Sequence, residues 1–313
     1  MKTLRKNAIW LVLIAEVIIF SIANPAFIKP TNIVAILRQV AFYGIASVGM
    51  TFPILIAGID LSAGTVITLI GIVTAGLMAN LHVPFVLAVI IGLIVSTGVG
   101  LLNGFMVSTV GIPAIIATFS SQTIFEGCAY LLSNGLPIPL ARGTAFDFFG
   151  KWNFPGTIIP ISAIIMAICF LVGGFILNRT YFGRYFYAIG GNEEAAELSG
   201  IRVNRMKYLI YALSGFFAGL AGIVVLSRTG SAQNTAGKGL EFDFITCVVL
   251  GGVSVNGGSG SMIGVVAGVL IIGSLTNGMI LMNVSNYMQM VVKGIVLAVA
   301  VGFDCISKKR QAV

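Results

Sequence analysis

This chain has little of what soluble enzymes use. His82 is the only histidine among 313 residues, and Asp and Glu together number 10. Charged residues make up 9% of the chain, where soluble domains carry about a quarter. One histidine leaves no zinc set and no converging acid–base pair. Cys128, Cys169, Cys247 and Cys305 stand singly in apolar runs without a C-x-x-C pair. They read as small packing residues, not as metal ligands or a disulfide framework. No G-x-x-x-x-G-K-[ST] loop occurs, so nucleotide hydrolysis has no P-loop in this chain. The glycine-rich Gly257–Gly260 lacks the lysine and reads as a tight turn with close helix approach.

What is abundant is apolar: 58% of residues are hydrophobic, with 39 glycines and a mean hydropathy of +1.04. Apolar runs recur at about 20 residues, the length of a helix across a hydrocarbon core, and strand-type alternation is absent. The expectation is an all-α integral membrane protein, a single domain over 1–313 with about ten transmembrane helices. Spans are expected near 7–24, 37–57, 61–80, 84–108, 112–133, 157–177, 207–227, 243–256, 261–282 and 287–305. Asp60 is the one charge in the run from Val40 to Ala79, long enough for two spans and a turn. Segment 243–256 is short and is expected to be tilted, re-entrant or broken. Lys2, Arg5 and Lys6 before an apolar stretch mimic a signal peptide, but Asn24-Pro25 reads as a helix stop and the stretch as a first span.

The net charge of +8 is expected to set topology and not to bind nucleic acid. Ten spans place both termini on one side. That side holds Lys2, Arg5, Lys6, Arg179, Arg184, Arg202, Arg205, Lys207, Lys308, Lys309 and Arg310. The other holds Lys29, Arg38, Arg142, Lys151, Arg228 and Lys238. The asymmetry predicts cytoplasmic N- and C-termini.

Residues 178–206 then form the longest cytoplasmic segment, and it is unusually charged. Asn192 is placed to cap a short helix whose first turn holds Glu193 and Glu194. Ala195, Ala196 and Leu198 keep that helix compact, Gly200 ends it, and Arg202 follows at the membrane surface. It is either a solvated surface helix or a rigid knob for a groove on a cytoplasmic partner.

Glu194-Ala195-Ala196-x-x-x-Gly200 resembles the EAA loop of permease subunits in ATP-binding-cassette importers. Further stretches are similar to simple-sugar importer permeases of the ribose type. They are Val48–Gly64 (VGMTFPILIAGIDLSAG), Phe182–Asn192 (FGRYFYAIGGN), Leu198–Ile201 (LSGI), Ser231–Asp243 (SAQNTAGKGLEFD) and Gly251–Gly260 (GGVSVNGGSG). Glu126 departs from the pattern, standing where similar chains usually place a basic residue. Branched-chain amino-acid importers share the overall pattern, but Gly58–Gly64 points to the sugar branch.

The resemblance implies a permease subunit in a bacterial cytoplasmic (inner) membrane, with 178–206 as its cytoplasmic coupling loop. It implies three protein partners. These are an ATP-binding subunit with two nucleotide-binding domains, an extracytoplasmic sugar-binding protein, and a second permease copy or paralogue. ATP and magnesium would belong to the ATP-binding subunit, with no cofactor in this chain. An ion-gradient-driven secondary transporter is the rival class, since intramembrane acids are available.

Ionisable groups inside a bilayer are costly and mark sites by default. Asp60 and Ser62 either cap the third span or line the pathway. Gln122 and Glu126, four residues apart, share a helical face and either pair or line a path. Asn277, Asn283, Asn286 and Gln289 surround a turn and are expected to satisfy backbone ends, with Asn277 also a pathway candidate. Glu16 has no basic neighbour in sequence, and Lys293 is one residue it could face. Glu241 and Asp243 suit an outer helix N-terminus and, with the loop 134–156, a rim for the binding protein.

Overall fold

A computed structural model describes residues 2–141 and 143–309. Arg142 and Arg310, counted in the charge asymmetry, lie outside the described residues, as do the side chains of Lys2, Arg5, Lys6, Lys308 and Lys309.

The chain folds into twelve α-helices among the described residues: α1 (Lys2–Ala23), α2 (Pro30–Leu55), α3 (Ala63–Ala79), α4 (Phe85–Ser108), α5 (Ala114–Ser133), α6 (Ile161–Arg179), α7 (Tyr181–Gly191), α8 (Glu193–Leu198), α9 (Val203–Thr229), α10 (Leu240–Leu250), α11 (Met262–Leu281) and α12 (Asn286–Lys309). Two short strands, β1 (Ile138–Pro139) and β2 (Ser231–Ala232), pair antiparallel. Six helices are long and apolar enough to cross a bilayer: α2, α4, α6, α9, α11 and α12 through Ile306. The protein is a multi-pass helical membrane protein.

Each expected span coincides with a helix, but not each helix has the length and hydropathy of a crossing. α10 has 11 residues, about 16 Å of helix and about half a hydrocarbon core. It is the broken form of 243–256: the helix ends at Leu250, and 251–261 continues as turns. α5 carries Gln122 and Glu126 and is not among the six. The segment 178–206 holds two helices, α7 and α8, where one was expected.

The core forms around α9, which packs most extensively against α4, then α2 and α3. Small residues let these helices approach. On α4, Ser96, Gly100 and Gly104 recur every four residues and so share one face. A Cβ at Gly100 would collide with the Tyr211 carbonyl of α9, and one at Gly215 with the Ser96 carbonyl of α4. Backbone therefore meets backbone at this crossing. α2 is buried without interruption from Val40 to Leu55.

Backbone also meets backbone between the turn after α10 and the α2 terminus. The Gly258 N–H donates to the Leu55 carbonyl at 2.9 Å. Gly258 has φ of +72°, which glycine adopts without a Cβ penalty. At the other end of α9, about 40 Å away by helical rise, the β1–β2 ladder and residues 143–160 form a cap. There Ser227 donates to the Phe146 carbonyl at 2.7 Å, and Arg38 to the Lys151 carbonyl at 2.8 Å.

The α4–α9 contact yields a prediction. Gly100→Val will overpack the crossing and cost about 1–3 kcal/mol, lowering the thermal midpoint of the detergent-solubilised chain. Gly98→Val, where an added Cβ meets nothing within 4 Å, will leave the midpoint near that of the wild type.

Candidate functional site

α8 is built by local chemistry at both ends. Asn192 is its N-cap, and the Asn192 Oδ1 accepts from the Ala195 N–H at 2.9 Å. Glu193 and Glu194 occupy the first turn, where the helix dipole favours acids. The Gly200 N–H donates to the Glu197 carbonyl at 2.9 Å and the Ile201 N–H to the Ala196 carbonyl at 3.1 Å. With Gly200 at φ of +85°, this is a Schellman cap.

Two contacts seat the helix. Ala196 is buried, and Glu193 Oε1 pairs with Lys207 Nζ of α9 at 2.6 Å. The outer face is free: Glu194, Ala195 and Glu197 are exposed, and Leu198 is 86% exposed. Arg202 follows, also exposed, immediately before α9.

Seven residues separate α2 from α3, and Asp60 organises them. Its Oδ1 accepts from the Ser62 N–H at 3.0 Å and the Ser62 hydroxyl at 2.6 Å. Its Oδ2 accepts from Ser214 of α9 at 2.6 Å. Asn103 of α4 donates to Ser62 Oγ at 2.8 Å, and Ser121 of α5 donates to Asn103 Oδ1. Thr118 of α5 donates to the Ile59 carbonyl at 3.0 Å and accepts from the Leu61 N–H at 3.1 Å. Asp60 and Ser62 are each 1% exposed. The structure thus joins two expected residues with Asn103, Thr118, Ser121 and Ser214, which the sequence reading missed. Asn103 lies inside an apolar helix, and that rarity was the available signal.

Gln122 and Glu126 reach different partners. Gln122 Nε2 donates to Glu241 Oε1 of α10 at 3.2 Å, and Glu126 Oε1 lies 3.9 Å from Lys238 Nζ. Next to them, Ser120, Thr123, Gly127 and Tyr130 are exposed on one stripe of α5. Asn277 is buried and accepts from Asn32 of α2 at 2.9 Å, tying α11 to α2.

Three further acids differ from expectation. Lys293 Nζ pairs with Asp243 Oδ2 at 2.7 Å, and Tyr43 donates to the same oxygen at 3.1 Å. Glu16 instead accepts from Ser274 at 2.9 Å. Glu241 and Asp243 are buried, 2% and 6% exposed, and form no outer rim. Their compensation comes from Gln122 and from Lys293 with Tyr43, partners distant in sequence. The loop after α5 keeps its own acid: Asp147 accepts from Lys151 at 2.7 Å and from the Gly143 N–H at 3.0 Å.

Two measurements follow. Ser214→Ala leaves a buried Asp60 oxygen short of a donor and will cost about 1–3 kcal/mol, read as a lower thermal midpoint. Lys151, hydrogen-bonded to it, and then the Gly143 N–H hold the Asp147 carboxyl below the usual aspartate range. A depressed folded value stabilises above the ordinary pKa of about 3.9 and is lost as pH falls through the lower folded value. Exchange protection at Gly143 will therefore stay constant from neutral pH to about 4.5 and fall only in stronger acid. Asp147→Asn will lower it throughout and flatten its pH dependence.

A family model described as branched-chain amino acid transport system / permease component matches residues 32–301. The ribose import permease protein RbsC of Bacillus subtilis strain 168 is 45% identical over 289 residues, 92% of this chain and 89% of its own. RbsC of Escherichia coli K12 is 41% identical over 295 residues, 94% of this chain and 91% of its own. The D-allose transport system permease protein AlsC of Escherichia coli K12 is 36% identical over 305 residues, covering 97% and 93%. No solved structure matches the chain. With the matched region covering most of its length, the chain belongs to the branched-chain amino acid transport system / permease component family.

Proposed function

We propose that this chain is the permease subunit of an ATP-binding-cassette importer for a ribose-like monosaccharide, with α8 as its coupling helix. The observation that carries this reading is α8 itself. It is six residues long, capped at both ends, anchored by Ala196 and Glu193, and presents Leu198 at 86% exposure. A surface helix serving only solubility has no need of a nearly bare leucine between two caps. The ribose and allose names of the relatives support a sugar as cargo.

In this reading a separate subunit with two nucleotide-binding domains receives α8 and hydrolyses ATP with magnesium. An extracytoplasmic binding protein delivers the sugar. The chain crosses the bacterial inner membrane ten times with both termini cytoplasmic, and bond chemistry is left to the partner. The pathway runs along α5 between two permease copies. The exposed stripe of Ser120, Thr123 and Tyr130, flanked by Gln122 and Glu126, supports this, because lipid solvates such groups poorly. Asp60, Ser62 and Asn277 act one layer behind, by holding the helices that frame the path.

The test is a mild-detergent pull-down of the tagged chain from its native membranes, read by mass spectrometry. A two-domain ATPase will come with the wild type and be lost from Glu194→Arg plus Gly200→Arg. Recovery of the intact wild-type chain without any ATPase would overturn the reading.

A further inference from the structure

α7 follows α6 with only Thr180 between them and has 11 residues, too few to cross a bilayer. One face of it is clamped by protein. Gly183, Phe186 and Ile189 are buried. A Cβ at Gly183 would collide with the Leu177 carbonyl of α6, and one at Gly190 with the Leu55 carbonyl that ends α2. Tyr187 donates to the Gly260 carbonyl at 3.0 Å. The other face carries Tyr181, Arg184, Tyr185 and Ala188, at spacings of three and four that align them. Tyr181, Arg184 and Ala188 are exposed and Tyr185 is half-buried. The Tyr181 and Tyr185 rings meet edge-on at 5.6 Å.

What surrounds this face follows from α6. Leu171, Val172 and Phe175 are exposed on that bilayer-crossing helix, and such an apolar stripe is solvated by acyl chains. Arg179, also exposed, stands four residues past Phe175 and seven past Val172, on the same side. It therefore lies one turn beyond the apolar stripe, at the level of the headgroups. α7 begins two residues later with Tyr181, where interfacial tyrosines are placed. An amphipathic helix with tyrosine and arginine on its outer face suits a position in the membrane surface.

Charge selects the headgroup. No Asp or Glu occurs from 148 to 192, and among the described residues neither Arg179 nor Arg184 enters an ion pair. Guanidinium groups take phosphate oxygens in pairs. A zwitterionic lipid brings its own ammonium, whereas an anionic phospholipid leaves the phosphate charge to the protein. A soluble acidic partner fits less well, because Arg179 continues a stripe that faces lipid. We propose that Arg179 and Arg184, with Tyr181, form a docking surface for an anionic phospholipid. Asn192 both ends α7 and caps α8, so a headgroup that holds α7 at the membrane surface also sets the height of α8.

The test uses the full chain in nanodiscs with Tyr181→Trp as a fluorescent probe. The parent chain, with Trp10 and Trp152 only, supplies the background to subtract. Quenching is compared between brominated phosphatidylglycerol and brominated phosphatidylcholine at equal content. Stronger quenching by phosphatidylglycerol is expected, a preference of about 5-fold for each arginine, weakening at high salt. Arg179→Gln plus Arg184→Gln will abolish the preference, and the paired Arg→Lys variant will largely keep it. Both pairs lie on the surface, and an unchanged thermal midpoint verifies folding. No quenching of the probe, equal quenching by the two lipids, or an unchanged preference in the glutamine pair would overturn the proposal. Reversal by inorganic phosphate beyond that by chloride at equal ionic strength would assign the arginines to soluble phosphate and also overturn it. The proposal needs only that the chain crosses a bilayer, whatever it carries. ATPase capture in the pull-down involves neither probe lipid, so the two readings fail separately.

Discussion

A backbone group buried away from water is costly unless it is paired, so a buried turn must be satisfied by protein. The seven residues between Leu55 and Ala63 form such a turn, mostly buried, and Asp60 is what closes them. One carboxylate takes a backbone N–H and two hydroxyls. Through Ser62, Asn103 and Ser121 the same network reaches α4 and α5. Four helices thus take their mutual position from one buried side chain. The small-residue crossing of α4 and α9 brings those helices close enough for Asn103 and Ser214 to face the same turn.

α9 carries this arrangement to the surface. Lys207, Tyr211 and Ser214 lie along one face of it, at spacings of four and three. Lys207 holds α8, Tyr211 is fully buried between them, and Ser214 holds Asp60. A second link runs in parallel through backbone. The turn after α10 donates from Gly258 to the Leu55 carbonyl, and Asp304 of α12 fixes that turn through Ser254 at 2.8 Å and the Val255 N–H at 3.1 Å. The α2 terminus is therefore held from two sides, by α9 through the Asp60 turn and by the turn after α10.

The sequence made legible whatever was local. The helical segments followed from apolar run length, and the α8 boundaries from Asn192, its two acids and Gly200. The break near Asp60 followed from one charge in a forty-residue apolar run. What remained hidden depends on residues far apart in the chain. Lys293 lies fifty residues from Asp243 and was available in principle to Glu16. Only packing decides that Ser274 serves Glu16 instead. The helix-dipole rule placed Glu241 and Asp243 correctly at the start of α10. It carries no information on burial, and so the outer rim was misread. α7 was missed because its aromatic, arginine-bearing sequence has neither a side-chain cap nor a spanning length.

The same economy distinguishes the acids from one another. Asp243 is met by an ammonium and a phenol, and Asp60 by three donors, so neither has much left to offer a passing molecule. Glu126 is different: its partner Lys238 stands at 3.9 Å, and the Lys238 side chain is 70% exposed. A pair this loose contributes little to stability. Conduction asks for contacts favourable enough to admit a molecule and weak enough to release it. A loosely held carboxylate beside the exposed stripe of α5 meets that requirement, whereas a saturated one deeper in the bundle meets the requirement for holding the helices in place. The proposed division between a path along α5 and a frame behind it therefore follows from how completely each acid is already bonded.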